Sequence, residues 1–323
     1  MKQGLIIGKF MPLHIGHAAL IDYACNKCDE LIVLLGVLPG EPIPGPLRLK
    51  WLWETFRHNK KVRIEYTDEE LPTAVESSRP VSKVWAEYLS KRFPEARVIF
   101  SSEPYGKYLA EYMGINHELF DLERLQFPVS ASMIREKPMT YWHHLPQAVR
   151  PFYLKKICLY GPECTGKSTM AEKLADYYKT SFVPEMAREL IGDQEVTYSM
   201  IPEILKIQAE AVLIEQKKAE IFLFCDSDYL TTLIYSRIFF QKEPEVLPWV
   251  ESANRYDLYL FFDVDTPWVE DDQRFFKDCR IQHRELFLKE LNDRRIPYEI
   301  ISGNFKERFE KVRIVIESLW SLG

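Results

Sequence analysis

Short apolar runs alternate with longer segments of helical periodicity along the whole chain. Patterns of helical period, such as residues 82–92 and 204–220, lie between the apolar runs. Strands that alternate with helices in this way build parallel sheets covered on both faces, so the pattern predicts a doubly wound α/β protein. The apolar runs predict strands at residues 5–7, 31–36, 62–66, 97–101, 156–160, 181–183, 221–225, 258–262 and 298–301.

Two of these strands are followed by a glycine-containing turn and then by a helical pattern, at Gly8 and at Gly161. A strand, a phosphate-type loop and a helix open a βαβ unit, so each segment predicts the start of a domain. Pro146 and Pro151 lie between them in a stretch without a long period. Because 323 residues is an ordinary length for two domains, we expect domains at residues 1–150 and 151–323.

The first glycine turn reads GKFMPLHIGH at residues 8–17. Gly8 permits a sharp turn after the strand, and Gly16 lets a phosphate approach the N–H groups of the helix start. His14 and His17 share one side of that start and can donate hydrogen bonds to phosphate oxygens as charge develops. We therefore predict that both histidines are catalytic; the alternative is two surface histidines after a turn.

A second phosphate motif follows at residues 129–135, which read VSASMIR. Two hydroxyls at a helix start and an arginine on its first turn form an anion cradle. Taken alone this pattern favours a capped surface helix, but its pairing with the first motif favours a catalytic Arg135. The nucleotide-binding residues predicted in this half are Gly8, Lys9, Phe10, Gly16, Ser130 and Ser132.

The second glycine turn reads GPECTGKS at residues 161–168 and fits the P-loop pattern. In such a loop the backbone amides surround the phosphates, Lys167 reaches the β- and γ-phosphates, and Ser168 supports Mg²⁺. The two halves are therefore expected to be a Rossmann-like domain and a P-loop kinase domain. The ATP-binding residues predicted here are Gly161, Glu163, Cys164, Thr165, Gly166, Lys167, Ser168 and Thr169.

A P-loop site also needs an acid at the end of a neighbouring strand, and Asp226 provides one. It is suited to hold Mg²⁺ or to take the proton from a substrate hydroxyl. Asp228 is predicted to contact the acceptor sugar. Glu185 and Arg188 follow another strand and are predicted substrate contacts, with Glu185 a second candidate base; the alternative is an ion pair between them at helical spacing.

The segment at residues 263–278 is dense in charge and has no apolar period, which is typical of a mobile surface segment. Arg274 is predicted to bind ATP from a lid that closes over the phosphates, where an arginine favours the transferring phosphoryl group. Arg280 and Arg284 are the other candidates. For each of the three, a solvated charged face is the alternative.

The first two motifs resemble those of the nicotinamide mononucleotide (NMN) adenylyltransferase branch of the nucleotidyltransferase superfamily. Together with the P-loop that follows, the chain resembles the NadR-type bifunctional family. That resemblance implies a Trp85 that stacks on the nicotinamide ring, although a helix core position is the other interpretation. It also implies a substrate contact at Ser102, at the end of a strand near adenosine. Some relatives carry an N-terminal helix-turn-helix domain; because the first predicted strand starts at Gly4, we expect none here.

The resemblance further implies two reactions. The second domain would phosphorylate nicotinamide riboside with ATP to NMN, and the first would join NMN to ATP, giving NAD and pyrophosphate. Mg²⁺ is the implied cofactor and ATP the co-substrate. Two alternatives stay open: a nucleoside kinase fused to a different adenylyl- or cytidylyltransferase, and a non-catalytic module that senses ATP or NAD.

The composition of the chain limits the classes of partner and the compartment to be expected. The formal net charge of −6 argues against nucleic acid as the main partner. No apolar run approaches the roughly 20 residues that span a bilayer, so we expect no membrane partner. Six cysteines in 323 residues make no disulfide framework, which favours the reducing cytoplasm. Small molecules are the expected partners, and a homo-oligomer stays open.

Overall fold

The computed structural model of the chain describes residues 2–72, 78–192, 194–269 and 276–320. The chain divides into two compact units, Met1–Arg150 and Pro151–Gly323. Each unit contains a parallel five-stranded sheet with helices between its strands. The predicted α/β class, with two doubly wound parallel sheets, is therefore confirmed. No helix in the described part of the chain is long and apolar enough to cross a membrane.

The N-terminal sheet has the strand order β3-β2-β1-β4-β5, with all neighbours parallel. The central strands are apolar on both faces because helices cover both sides of the sheet. The strands are β1 (Gln3–Gly8), β2 (Glu30–Gly36), β3 (Val62–Thr67), β4 (Ala96–Ser101) and β5 (Asn116–Leu119). The helices are α1 (Ile15–Cys25), α2 (Gly45–Phe56), α3 (Arg79–Arg92), α4 (Tyr105–Met113) and α5 (Ala131–Glu136).

The C-terminal sheet has the order β10-β9-β6-β8-β7, again parallel throughout. Its strands are β6 (Lys155–Tyr160), β7 (Phe182–Val183), β8 (Phe222–Asp226), β9 (Leu258–Phe262) and β10 (Tyr298–Ile301). The helices, beginning with a short one at the junction, are α6 (Arg150–Tyr153), α7 (Lys167–Tyr178), α8 (Met186–Ile191), α9 (Ile201–Glu215), α10 (Tyr229–Phe240), α11 (Pro248–Ala253), α12 (Arg280–Asp293) and α13 (Phe305–Trp320).

All nine predicted strands form, and the structure adds β5. This strand reads NHEL and pairs only with β4 at the edge of its sheet. An edge strand needs no apolar alternation, which is why the hydrophobic pattern missed it. The helix predicted at residues 204–220 begins earlier, at Ile201, where Pro202 fits a first helical turn, and ends at Glu215.

Gly161 is the position where the C-terminal fold most requires a glycine. It follows β6 with a φ of +138°, in a region that side chains disfavour. A Cβ atom there would lie 2.7 Å from the carbonyl oxygen of Phe262, the last residue of β9. The close approach of these two backbones positions the start of the P-loop against the sheet.

We predict that Gly161→Ala destabilises the C-terminal unit more than Gly166→Ala does. Gly166 also has a positive φ, of +81°, but no atom lies within 4 Å of its added Cβ, so this variant carries strain of about 1–2 kcal/mol without a clash. Hydrogen exchange of the β6 amides measures the free energy of opening for this unit alone. Equal losses in the two variants would show that contact with Phe262 is unimportant.

Candidate active sites

The first site begins in the loop that joins β1 to α1. His14 is the N-cap of α1, and its Nδ1 atom accepts a hydrogen bond from the Gly16 amide at 3.2 Å. The rings of His14 and His17 stack with their centroids 3.7 Å apart. The ring of Phe10 meets His17 edge-on at 5.1 Å. The two predicted histidines therefore lie together at the amino end of the helix.

Both histidines are held neutral. Burial, followed by the positive charge of Arg124 and the nearby His144, lowers the pKa of His14 to about 4. Burial and the neighbouring His14 hold the pKa of His17 well below its ordinary value. The Nδ1 atom of His17 is buried with no hydrogen-bond partner in the described part of the chain. A bound anion would supply the missing partner and would favour protonation of the imidazoles.

The helix α5 brings the second motif to the first. Ser130 caps this helix by accepting a hydrogen bond from the Met133 amide at 3.2 Å. The Arg135 guanidinium donates to the carbonyl oxygen of Met11 and to Ser132 Oγ, the latter at 3.1 Å. An arginine 118 positions beyond His17 in sequence therefore reaches the loop that carries the histidines.

A network that the sequence analysis missed holds Lys9. Its Nζ atom lies 2.9 Å from a carboxylate oxygen of Glu41. The other oxygen of Glu41 pairs at 2.5 Å with Arg48, which is fully buried and also donates to the Lys9 carbonyl at 2.8 Å. Charged residues are rarely buried unless paired, and a buried arginine within an amphipathic helix gives no periodic signal.

A cavity of about 520 Å³ opens beside these motifs, within the usual range for small-molecule sites. Trp85 lines it in a half-buried position, and its indole N–H donates to the Pro72 carbonyl at 2.9 Å. Ser102 lies on the wall together with groups from both phosphate motifs. The cavity is lined in part by Gly8, Lys9, Phe10, His17, Val37, Trp85, Ser102, Glu103 and Arg135.

The second site is the loop between β6 and α7. Lys167 is the first residue of α7, and its Nζ donates to the Pro162 carbonyl at 2.7 Å. Thr165 is buried and donates to the same carbonyl at 3.0 Å. Cys164 and Gly166 both take positive φ angles, of +57° and +81°, which curve the loop. The predicted residues Glu163, Ser168 and Thr169 lie in the same loop and helix start.

Asp226 ends β8, beside the central strand. It is buried, and its Oδ1 atom has no hydrogen-bond partner in the described residues. Burial raises its pKa to about 6, with Lys167 opposing and Glu185 adding to the shift. The Ser168 hydroxyl also interacts with this carboxylate. An unpartnered carboxylate oxygen beside a hydroxyl fits the hard oxygen donors that Mg²⁺ prefers when phosphates complete its shell.

The fit of Mg²⁺ at Asp226 relies on phosphate oxygens, since no cluster of three or more metal-binding side chains occurs within the described ranges.

Asp228, unlike Asp226, has protein partners for its carboxylate. Its Oδ1 accepts from the Thr231 amide at 3.0 Å as the N-cap of α10, and its Oδ2 accepts from the Tyr259 hydroxyl at 2.8 Å. Both oxygens thus have protein partners, so its role toward a sugar stays a prediction.

Glu185 and Arg188 form the ion pair that the sequence analysis kept as an alternative, with Nε 3.1 Å from Oε2. The charge of Glu185 also acts on Asp226, so the pair lies near the second site. Whether they contact substrate stays a prediction.

Two of the three candidate lid arginines, Arg280 and Arg284, lie in α12 and bind the protein itself. Arg280 donates to the carbonyls of Thr266, at 2.8 Å, and Cys164, at 3.2 Å. Arg284 pairs with Asp263 at 2.7 Å. The predicted ATP contact Arg274 lies outside the described residues. The predicted mobility of the whole segment likewise falls partly on residues outside the description.

Arg308 in α13 is a further residue that the sequence did not reveal. It is buried, donates to the carbonyls of Thr165 at 2.7 Å and Asp263 at 3.0 Å, and pairs with Asp265. It therefore ties the P-loop to the end of β9. These three partners lie 43 or more positions away in the chain, so local patterns carry no trace of them.

Comparison with known proteins agrees with this arrangement. Residues 156–308 match the family model of the AAA domain. Over 334 residues the chain is 30% identical to the trifunctional NAD biosynthesis/regulator protein NadR of Escherichia coli (strain K12), covering 95% of this chain and 80% of that protein. It is 29% identical to the protein of that name from Salmonella typhimurium, covering 99% and 84% of the two chains.

Solved structures show the same fold. A crystal structure of NadR protein in complex with NAD and AMP-PNP superposes with a TM-score of 0.81 at 20% identity, covering 100% of this chain and 97% of the other. A complex of NadR protein with NR gives the same TM-score at 19% identity. The N-terminal part also resembles the nicotinamide-nucleotide adenylyltransferase of Saccharolobus solfataricus, at 27% identity over 32% of this chain and 60% of that protein. Given its identity to the E. coli protein over most of both chains, the chain belongs to the NadR family of NAD biosynthesis proteins.

Proposed function

We propose that the two units catalyse consecutive ATP-dependent transfers. The C-terminal unit phosphorylates nicotinamide riboside to NMN, and the N-terminal unit joins NMN to ATP, giving NAD and pyrophosphate. The observation that carries this proposal is that in each unit a glycine-containing loop and a helix start follow the central strand. The names of the relatives support the substrates, since NadR structures were solved with NAD and AMP-PNP and with NR.

The adenylyl step needs no protein nucleophile. A phosphate oxygen of NMN attacks the α-phosphorus of ATP, the bond to the bridging oxygen breaks, and pyrophosphate leaves. The protein places the two anions and stabilises the charge that develops, for which we assign His14, His17 and Arg135. The neutral, desolvated imidazoles suit this role, and we assign a phosphate oxygen as the partner that Nδ1 of His17 lacks.

In the kinase step the riboside hydroxyl attacks the γ-phosphorus of ATP, loses its proton, and ADP leaves. Lys167 now donates to the Pro162 carbonyl, and we assign its donors to the β- and γ-phosphates once ATP is bound. We assign Ser168 and Asp226 to Mg²⁺, which supplies charge neutralisation on the phosphates when bound. Glu185, near Asp226, is then the candidate to accept the hydroxyl proton.

The setting of these reactions is proposed to be the cytoplasm, with small molecules as the substrates. All six cysteines are free thiols in the structure, as suits a reducing compartment.

We predict that the purified chain converts nicotinamide riboside, ATP and Mg²⁺ to NAD, with NMN as an intermediate. His17→Ala removes one donor to the developing charge, so adenylyl transfer falls about 100- to 1,000-fold and NMN accumulates. Lys167→Ala blocks the first step while leaving NMN conversion intact. Product analysis by chromatography separates these outcomes.

A panel of other ribosides and nucleotides serves as the control for this experiment. If the chain turns over a different pair of substrates instead, the proposed substrates are wrong. Tight binding without any turnover would favour a sensing module. Riboside phosphorylation by Lys167→Ala would show that the kinase site lies elsewhere.

We predict that the stability of the N-terminal unit falls below pH 6.5 because His14 is buried neutral. Its folded pKa of about 4 lies below its unfolded value, so protons favour the unfolded chain as the pH falls from 6.5 toward 4. This group alone removes about 2 kcal/mol between pH 7 and pH 5. His14→Asn keeps a capping oxygen for the Gly16 amide but does not titrate. The free energy of unfolding of this variant, measured with urea, should therefore fall correspondingly less between pH 7 and pH 5. Parallel pH curves for the two proteins would contradict the assignment.

We predict that Asp226 and Glu185 are separable by their magnesium dependence. Asp226→Asn should raise the Mg²⁺ concentration needed for riboside phosphorylation by about 10- to 100-fold. Glu185→Gln should lower kcat by about 100-fold or more at an unchanged Mg²⁺ requirement. NMN adenylylation by the same preparations provides the control. If Glu185→Gln changes the Mg²⁺ requirement and Asp226→Asn changes only kcat, then Glu185 binds the metal and Asp226 accepts the proton.

A further inference from the structure

The loop between β5 and α5 holds an arginine that neither phosphate motif includes. Arg124 lies in this loop, and its Nη2 atom is 3.7 Å from Oε1 of Glu103. Glu103 is on the wall of the N-terminal cavity, as are His17 and Arg135. The loop thus adds a cation next to the site of adenylyl transfer.

The loop is built to hold that position. The Asp121 carboxylate accepts hydrogen bonds from the amides of Gln126, at 3.1 Å, and Phe127, at 3.0 Å. The Arg124 amide donates to the Asp121 carbonyl at 2.9 Å, and Arg124 itself has a φ of +53°. A long side chain in this left-handed conformation persists only where its surroundings enforce it. The turn therefore fixes the point and direction at which the Arg124 side chain leaves the backbone.

Packing ties the same loop to α1. The Phe120 amide donates to the carbonyl of Ser101, the last residue of β4, at 2.9 Å. The Phe120 ring lies 5.0 Å from that of Tyr23 in α1. At the other end of the loop, Phe127 lies next to Gly16, where a Cβ added to the glycine would be 3.6 Å from the phenylalanine Cβ. Arg124 is therefore carried by a segment anchored beside the histidine motif.

The ion pair with Glu103 is a weak use of this cation. The two side chains are 42% and 54% exposed, and their 3.7 Å separation is too long for a hydrogen bond. Such surface pairs add little stability. A phosphate oxygen accepts shorter, charge-assisted hydrogen bonds from a guanidinium, so a polyphosphate would compete with the carboxylate.

We propose that Arg124 binds the polyphosphate of ATP in the N-terminal site, as a third cationic element beside the histidine motif and Arg135. The electrostatics agree, since the positive charge of Arg124 lowers the pKa of both His14 and His17. Its field therefore extends over the place where the phosphates would lie. Arg124 is held more loosely than the two cations named above: Lys9 pairs with Glu41 at 2.9 Å, and Arg135 donates hydrogen bonds to Met11 and Ser132.

This proposal rests on the adenylyltransferase activity proposed above, and the reaction run in both directions tests it. In the reverse direction NAD and pyrophosphate give NMN and ATP, so the KM for pyrophosphate reports the phosphate contacts without interference from the P-loop site. Arg124→Ala should raise the KM for ATP and for pyrophosphate about 10- to 100-fold while the KM for NMN changes less than about twofold. Arg124→Lys, which keeps the charge, should recover part of this loss.

Two further variants separate binding from a structural role. Arg97→Ala removes an exposed arginine of the same unit that also pairs with a glutamate, Glu95, and should change neither constant. Glu103→Gln breaks the ion pair but leaves the guanidinium, so the KM for pyrophosphate should stay the same or fall. If Glu103→Gln raises it as much as Arg124→Ala does, Arg124 only supports the loop. If Arg124→Ala keeps wild-type constants, the proposal is wrong, whereas a wild-type chain that makes no NAD overturns the proposed function itself.

Discussion

Both candidate active sites depend on one constraint, which is that a parallel central strand ends where a helix begins. β1 and β6 are each the third of five strands and are hydrogen-bonded on both edges. Their carboxyl ends are therefore held firmly in place, and the chain must turn sharply into a helix whose first amides face outward. Ligands of open α/β sheets bind at this edge, where the strand order reverses. The histidine loop and the P-loop are two different sequences that satisfy the same geometry.

Desolvation acts on the two sites with opposite sign. Burial lowers the pKa of His14 and His17 in the first site, and it raises the pKa of Asp226 in the second. In each case the charged form, imidazolium or carboxylate, is disfavoured until a ligand of opposite charge binds, because a buried charge without a partner is costly. Phosphate would favour the imidazolium, and a divalent cation would favour the carboxylate. Under the proposed function, the sites would bind charged ligands without storing unpaired charge beforehand.

Strand positions were predictable because a central parallel strand is apolar on both faces, which leaves a continuous signal in the sequence. The edge strand β5 lacks that signal, since only one neighbour and a partly exposed surface constrain it. The site shows the same division. His14, His17, Lys167 and Ser168 follow from spacing within a single turn, whereas the pairing of Lys9 with Glu41 or of Arg308 with the P-loop does not.

The sequence by itself determined the α/β class, the two glycine-containing loops and the residues within each loop that we predict to face an anion. These features are local, because strand, turn and helix start are specified by residues within about ten positions of one another. Only the tertiary structure decided which distant groups meet them. Arg135 reaches Met11 across 124 positions, Arg308 reaches Thr165 across 143, and Arg124 lies beside Glu103. Such contacts are set by how helices pack over a sheet, and no periodicity along the chain records that packing.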